Sequence, residues 1–292
     1  MPVTDQIAAA PISWGVCEVP GWGYQLPAAR VLAEMRGLGF SATEAGPDDF
    51  LPTEGLELRN ELETAELRLV GGFTPLVLHD PAGGWRGVLD AAIARFGAAG
   101  GKSVIIAADT GVAGYDARPE LDEAGWGRLL TALDEAGRRC ADAGLAATLH
   151  PHVGTMVERP EEIARVVDGS QASLCLDTGH ILVGGGDPVE LARKLPERIN
   201  HVHLKDVDAE LAERVRTGQV AYSDAVRGEL FRPLGDGDVD VPAIASALRG
   251  AGYSGWYVLE QDVMLAGAPA EGAGPVADVA RSRDYLVAVL SA

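Results

Sequence analysis

Histidine and acidic side chains are concentrated at the ends of four short apolar segments in the second half of the chain. These segments read TLHPH at 148–152, CLDTGH at 175–180, HVHLKD at 201–206 and YVLEQD at 257–262. Five of the six histidines fall in the first three of them. Imidazole and carboxylate groups together suit Mn²⁺, Co²⁺, Zn²⁺ or Fe²⁺, whereas Ca²⁺ prefers shells made only of oxygen. The pattern therefore predicts a divalent metal site.

The predicted metal ligands are His150, Asp177, His203 and Glu260, which end the four apolar runs. A lone histidine or carboxylate at such a place is more often structural, for example as a helix cap or a surface ion pair. The joint occurrence on four successive segments favours metal binding instead. His152 shares a strand face with His150, because side chains alternate with a period of two, so either histidine could be the ligand.

Four residues in or beside these segments are candidates for proton transfer. Glu260 or His152 could act as a general base, and Lys205 or His180 as a general acid. Lys205 lies two residues after His203 and so shares its strand face, while His180 begins the loop that follows the second segment. Alternatively, Lys205 is a charged residue at the rim of the fold with no role in proton transfer.

Substrate binding is predicted for His152 and Lys205 and for two residues of the first half of the chain. Trp14, in PISWG at 11–15, could form a hydrophobic wall for a sugar ring, although core packing explains an early tryptophan equally well. Glu44 ends the second predicted strand and could bind substrate hydroxyls.

Short apolar runs alternate with helical patterns along the whole sequence. The predicted strands are Ile7–Ser13, Ala42–Ala45, Leu67–Gly72, Ser103–Ala107, Ala146–His150, Ser173–Asp177, His201–Lys205 and Trp256–Glu260. The predicted helices are Ala28–Leu38, Leu56–Ala65, Trp85–Ala99, Glu123–Ala143, Pro160–Val167, Pro188–Lys194, Pro242–Ala251 and Val276–Leu290. Eight strand–helix units indicate an α/β fold with a parallel barrel or a doubly wound sheet.

The closed barrel is the favoured alternative, since no glycine-rich nucleotide-binding fingerprint follows the first strand. We therefore predict a (β/α)8 TIM barrel, with residues 1–292 as a single domain. In such a barrel the carboxyl ends of all strands gather at one face, where active sites lie. This arrangement would bring the four predicted ligands together.

Composition restricts the partners and the compartment of this 292-residue chain. Its formal charge is −19, from 43 acidic residues against 24 lysines and arginines, which argues against nucleic acid and membrane surfaces as partners. Three separated cysteines, Cys17, Cys140 and Cys175, predict buried thiols in a reducing compartment. No secretory signal and no apolar run of about 20 residues is evident, so a cytoplasmic location is expected.

Several motifs, taken in order, resemble one known family. PISWG, ATEAGPDDFLP, TLHPHVGT, CLDTGH, HVHLKD and FRPLGDGDVD together resemble the inosose dehydratase branch of the xylose-isomerase-like sugar isomerase/epimerase superfamily, over nearly the whole chain. The resemblance implies a (β/α)8 barrel with one catalytic divalent cation, commonly manganese or cobalt. The superfamily's ligands are usually Glu, Asp, His and Glu, and Asp177, His203 and Glu260 match the last three. His150 stands where many isomerases carry glutamate, and the dehydratase branch is similar in having histidines there.

The resulting hypothesis is a lyase that dehydrates a keto-inositol, such as 2-keto-myo-inositol, through a metal-stabilised enolate. A metal-dependent sugar or inosose isomerase/epimerase is the first alternative. This chain, however, lacks the paired glutamates that sugar epimerases of the superfamily use. A DNA-repair endonuclease is disfavoured by the charge, and a non-catalytic sugar-binding barrel would need no proton donors. A small polyol or sugar is the expected partner, and because related barrels often form dimers or tetramers, a homo-oligomer is also an open alternative.

Overall fold

Short runs of small and β-branched residues form the parallel strands of a barrel. The computed structural model describes residues 3–116 and 118–292. Its strands are β1 (Ile7–Ala9), β2 (Ala42–Thr43), β3 (Arg68–Leu69), β4 (Gly71–Leu76), β5 (Ser103–Ala108), β6 (Ala146–Leu149), β7 (Ser173–Asp177), β8 (Ile199–Leu204), β9 (Asp206–Val207), β10 (Phe231–Arg232) and β11 (Tyr257–Leu259). The main sheet has the order β3-β2-β1-β11-β8-β7-β6-β5-β4, with parallel pairing throughout.

The sheet closes on itself at Val70, the one residue between β3 and β4. The Val70 N–H donates to the carbonyl of Thr43, the last residue of β2, at 2.9 Å. The Val70 carbonyl accepts from the N–H of Lys102 at 2.9 Å, next to β5. Because β3 and β4 together form one bent strand, the described residues make a barrel of eight strands. The prediction of a (β/α)8 TIM barrel is confirmed.

Helices follow the strands and cover the outside of the barrel. They are α1 (Ala28–Gly37), α2 (Gly55–Thr64), α3 (Trp85–Ala98), α4 (Glu123–Asp142), α5 (Pro160–Gly169), α6 (Thr178–Val183), α7 (Pro188–Lys194), α8 (Ala209–Arg216), α9 (Tyr222–Arg227), α10 (Val241–Gly250) and α11 (Pro275–Ser291). The eight predicted helices agree with the observed ones to within one or two residues at each end. The side chain of Asp187 caps α7, and that of Asp240 caps α10.

Three parts of the chain differ from the predictions. The first strand ends at Ala9 and not at Ser13, because Pro11 has no N–H for the sheet and a 3-10 turn runs from Pro11 to Trp14. After β8 the chain forms an antiparallel pair between β9 and β10, and the segment between them contains α8 and α9. The short α6 was also absent from the predicted elements.

Two groups of apolar side chains hold the barrel together. One lies between strands and helices and includes Val202 of β8 and Leu129 of α4. The other contains Ala8, Ala42 and Val258 and lies inside the barrel. Val258 is in register with His203 of the site, so the two side chains lie on the same face of the sheet. Small residues leave room at the top of the barrel for polar side chains.

The described residues also bear on the expected environment. Within these ranges no helix combines the length and apolar character needed to cross a bilayer. Cys140 and Cys175 are buried free thiols, as predicted, while Cys17 is only half-buried.

Candidate metal and active site

Four side chains from distant parts of the chain converge at the carboxyl end of the barrel. His150 follows β6, Asp177 ends β7, His203 lies in β8 and Glu260 follows β11. One potential ligand atom from each lies within 4.8 Å of the other three. His150 Nε2 is 3.1 Å from Asp177 Oδ2, and His203 Nδ1 is 3.2 Å from Glu260 Oε2. All four predicted ligands therefore share one small volume.

Asp177 is held in place by the helix that follows it. As the N-cap of α6, its Oδ1 accepts the backbone N–H of His180 at 2.8 Å, so Oδ2 is left to face His150 and His203. Burial opposes ionisation of Asp177, but His180 and Lys205 outweigh it and hold the pKa of the carboxyl well below its usual range. The residue is thus an anion with one oxygen directed into the cluster.

The charge balance of the site suits a divalent cation. Four buried carboxylates, those of Glu44, Asp177, Glu260 and Asp262, lie near a single ammonium group, that of Lys205. Burial of several like charges is costly unless positive charge balances them. In addition, Nδ1 of His203 is buried and makes no hydrogen bond within the described residues, although it lies between two carboxylates. A mixed imidazole and carboxylate set with excess negative charge fits a transition-metal ion.

The ammonium of Lys205 lies at the edge of this cluster. Its Nζ is 3.0 Å from Glu260 Oε2 and also forms an ion pair with Asp262. Its backbone N–H donates to Thr178 Oγ1 at 2.9 Å, and the Thr178 hydroxyl donates in turn to the Lys205 carbonyl. Burial lowers the pKa of Lys205, but Asp262, Glu260 and Asp177 outweigh it and raise that pKa above its ordinary value. Lys205 is therefore protonated and can donate.

A cavity of about 150 Å³ is lined by three of the four residues, His150, His203 and Glu260, and also by His152 and Lys205. Because a carbonyl can only accept, the 2.7 Å contact of His152 Nδ1 with the Val153 carbonyl means that Nδ1 carries the proton. Burial, together with His150 and Lys205, holds the pKa of His152 well below its usual range. His152 is thus a neutral imidazole with an unprotonated Nε2. The geometry places His150, rather than His152, in the ligand cluster.

His180 lies behind His152 and not in a loop above the barrel. It belongs to α6, is almost fully buried, and stacks on His152 with ring centroids 3.7 Å apart. Its side chain is not part of the cavity wall in the described residues. Glu44 does line the cavity, but its Oε1 is already the acceptor for His201 and His203.

The interpretation of Trp14 as a wall for substrate is corrected by the structure. Trp14 is fully buried in the core, and its Nε1–H donates to Glu34 Oε2 of α1 at 2.8 Å. The 3-10 turn after β1 directs the indole away from the cavity. Trp22, eight residues later, lines the cavity instead, with its Nε1–H donating to the Val263 carbonyl at 3.1 Å.

Three polar residues of this region were missed by reasoning from sequence. Asp262 faces Lys205 and accepts the hydroxyl of Tyr222 at 2.9 Å. Tyr115 stacks on His152, with centroids 4.5 Å apart, and donates to Glu18 across the mouth. For Asp262 a signal existed, since it ends the YVLEQD segment two residues after the predicted ligand Glu260. For the tyrosines the sequence carried none.

Comparison with known proteins places this site in a family. The sequence model described as the xylose isomerase-like TIM barrel matches residues 32–283, well over half of the chain. The chain belongs to this family. Its (β/α)8 barrel and the cluster at the carboxyl ends of the strands agree with that membership. The resemblance inferred from the motifs is therefore confirmed at the level of the family.

The chain is also similar to two named proteins, each about one third identical to it. The rhizopine catabolism protein MocC of Rhizobium meliloti is 35% identical over 271 residues, which cover 88% of this chain and 81% of the relative. An inosose dehydratase of Geobacillus kaustophilus is 34% identical over 275 residues, covering 88% of this chain and 87% of the relative.

Several solved structures have the same fold at lower identity. L-ribulose 3-epimerase superposes with a TM-score of 0.70 at 17% identity, covering 98% of this chain and 94% of that one. The IolI protein, whose crystal structure contains a bound zinc atom, gives a TM-score of 0.69 at 15% identity and covers 98% of both chains. At these identities the likeness concerns the fold.

Proposed function

We propose that this protein is a metal-dependent lyase that removes water from a keto-inositol such as 2-keto-myo-inositol. The observation that carries the proposal is that one cavity is lined by His152, by Lys205 and by three of the four clustered residues, His150, His203 and Glu260. Elimination of water needs a base and an acid near each other, which this arrangement supplies. The relative from Geobacillus kaustophilus, named as an inosose dehydratase, supports the choice of substrate class.

His150, Asp177, His203 and Glu260 would hold the cation, for which we propose Mn²⁺ or Co²⁺. A bound ion of this kind supplies Lewis acidity that makes the hydrogen next to a ketone more acidic. The four residues are fixed by their strands, and the Asp177 carboxylate by the N-terminus of α6 as well. The site therefore needs little rearrangement to receive the ion.

His152 is the proposed general base. His152 lines the cavity, and the hydrogen bond from Nδ1–H to the Val153 carbonyl leaves the lone pair on Nε2. Glu260, the other candidate, already has two partners. Its Oε2 lies 3.2 Å from His203 Nδ1 and 3.0 Å from Lys205 Nζ. His152 would take the proton from the carbon next to the ketone, and a positioned base of this type contributes about 10²–10⁴ in rate.

Lys205 is the proposed general acid. As the C–O bond to the β-hydroxyl breaks, Nζ would give a proton to the departing oxygen, which leaves as water. The electron pair of the broken C–H bond forms the new C=C bond, and the product is the enol of a dione. Asp262 and Glu260 hold the ammonium at the cavity wall. His180 is buried behind His152, so Lys205 is the better candidate for this transfer.

The test is to follow dione formation from 2-keto-myo-inositol with metal-free enzyme and after addition of Mn²⁺ or Co²⁺. We expect activity to vanish on chelation and to return with either ion. Full activity in the metal-free protein would refute the proposal.

Epimerisation is the second candidate, since it would use the same cation and base without loss of water. The presence of His150 disfavours it, because no second carboxylate is available at that strand for opposed proton transfer. Product analysis in deuterated water separates the two reactions. Dehydration yields a dione, whereas epimerisation or isomerisation yields a deuterated ketose isomer.

A further inference from the structure

Glu44 occupies an unusual position for a buried acid. A single oxygen, Oε1, lies 2.7 Å from Nε2 of His201 and 2.9 Å from Nε2 of His203. All three side chains are at most 2% exposed. Glu44 follows β2, whereas both histidines belong to β8, and β1 and β11 lie between these strands in the sheet. The contact therefore crosses the inside of the barrel, next to the proposed cation site, to which His203 also belongs.

The hydrogen bonds of Glu44 fix which nitrogen of His203 is free. Both Nε2 atoms lie within hydrogen-bond distance of the same carboxylate oxygen, which accepts hydrogen bonds. The proton must then be on Nε2 of each imidazole. For His203 this leaves Nδ1 to face Asp177 Oδ2 at 3.6 Å and Glu260 Oε2 at 3.2 Å. In the part of the chain that the structure describes, this nitrogen makes no hydrogen bond.

We propose that Glu44 is a positioning residue for metal binding, which orients the His203 ring and fixes the tautomer that presents Nδ1 to the cation. The proposal rests on the metal site of the proposed function. Partners of this kind orient ligand histidines and increase their basicity, and their loss typically lowers metal affinity by 10- to 100-fold. It revises the expectation from sequence, in which Glu44 binds substrate hydroxyls.

His201 provides a matched control inside the same hydrogen-bonded group. It contacts the same oxygen as His203 and is equally buried, but it is not one of the four residues of the ligand cluster. If Glu44 acted only as a structural link across the barrel, loss of His201 and loss of the Glu44 charge would have similar effects. If Glu44 positions His203, only the change at Glu44 lowers metal affinity strongly.

The experiment is a titration of the full-length protein with Mn²⁺, in which free Mn²⁺ is measured by electron paramagnetic resonance. For Glu44→Gln we expect the dissociation constant to rise about 10- to 100-fold, and for His201→Gln about threefold or less. Thermal unfolding of the metal-free proteins shows whether both variants fold. If Glu44→Gln does not fold, Glu44→Asp keeps the charge but withdraws the oxygen by one methylene, and we expect a rise of at least about tenfold.

The outcomes separate this inference from the proposed function. Wild-type protein that binds no Mn²⁺ would overturn both. Wild-type binding combined with unchanged affinity in the Glu44 variants would overturn only the role of Glu44. Equal losses in the Glu44 and His201 variants would also overturn it, in favour of a structural link.

Discussion

The imidazole of His152 stacks on that of His180 with ring centroids 3.7 Å apart, yet only His152 lies in the cavity wall. Two adjacent histidines are thus expected to differ in function. His152→Gln should lower kcat by about 10²–10⁴, because it removes the proposed base. His180→Phe should lower kcat by less than about tenfold, because a second ring preserves the stacking on His152. Rates of dione formation at equal Mn²⁺ content check this, and an equal loss in both variants would contradict it.

Lys205 should be needed for turnover but not for retention of the metal. Lys205→Met keeps the length of the side chain and removes the proton that Nζ would donate. We expect kcat to fall at least about 100-fold, while bound Mn²⁺ stays near one ion per chain. Lys102→Met is the control, since Lys102 is exposed and immediately precedes β5, away from the site. Wild-type turnover by Lys205→Met would exclude Lys205 as the acid.

Gly179 leaves the space in which Lys205 lies. A Cβ at this position would be 2.6 Å from Lys205 Cβ and 2.9 Å from Phe231 Cε1, closer than real contacts allow. Gly179→Ala should therefore displace Lys205, lower kcat about tenfold or more, and destabilise the protein by about 1–3 kcal/mol. A Cβ added at Gly137 in α4 would have no neighbour within 4 Å, so Gly137→Ala should stabilise the protein slightly. Kinetics and urea unfolding of both variants provide the measurement.

The loop that carries the FRPLGDGDVD motif is organised by one buried carboxylate, that of Asp206. Its oxygens accept from backbone N–H groups at 2.7–3.0 Å, those of Val207, Gly235, Gly237 and Val239. Asp206→Asn would replace one acceptor oxygen by a donor among these N–H groups. We expect a loss of about 2–4 kcal/mol in the free energy of unfolding, measured in urea. Asp236→Asn in the same loop, at a half-exposed carboxylate, should change it far less.

A pH-dependent contribution to stability is expected from Glu135 on the outer helices. Hydrogen bonds from Arg86 at 2.7 Å and Arg139 at 3.0 Å lower the pKa of Glu135 to about 2, from 4.5. A lowered pKa in the folded state means that the contribution is complete above pH 4.5 and is lost as the pH falls toward 2.

The comparison of Tm between wild type and Glu135→Gln tests this dependence. The difference should be about 1–3 °C at pH 6, since the group is solvent-exposed and screened. It should shrink steadily between pH 4.5 and pH 3, and also in high salt. A difference that grew on acidification would contradict the assignment.

The barrel and the clustering of four polar residues could be predicted because both depend on simple periodicities. Strand ends in a parallel barrel meet at one face, so the sequence predicts that Asp177, His203, Glu260 and one histidine of the pair His150 and His152 lie close together. The direction of Trp14 could not, because it depends on a turn that starts at Pro11 immediately after a three-residue strand. Sequence spacing gives a face only while the strand continues.

The segment between β9 and β10 was harder to predict for a different reason. Its helices α8 and α9 have only eight and six residues, too few for helix formation without tertiary contacts. Such contacts are present, since the Tyr222 hydroxyl reaches Asp262 and the Ser223 hydroxyl donates to Asp116 at 2.8 Å. These pairs join residues that are 40 and 107 positions apart, and nothing in the local sequence signals them.

The four clustered residues come from four different strands, over more than one hundred positions of the chain. A partly folded chain, in which the last strands have not yet joined the ring, would present them separately. An ion that binds the cluster would therefore stabilise only the completed barrel, because the four residues lie together only when its second half has folded. At one hundred times its dissociation constant such an ion adds about 2.7 kcal/mol to the free energy of unfolding. Metal supply would then govern how long the protein persists as well as how fast it works.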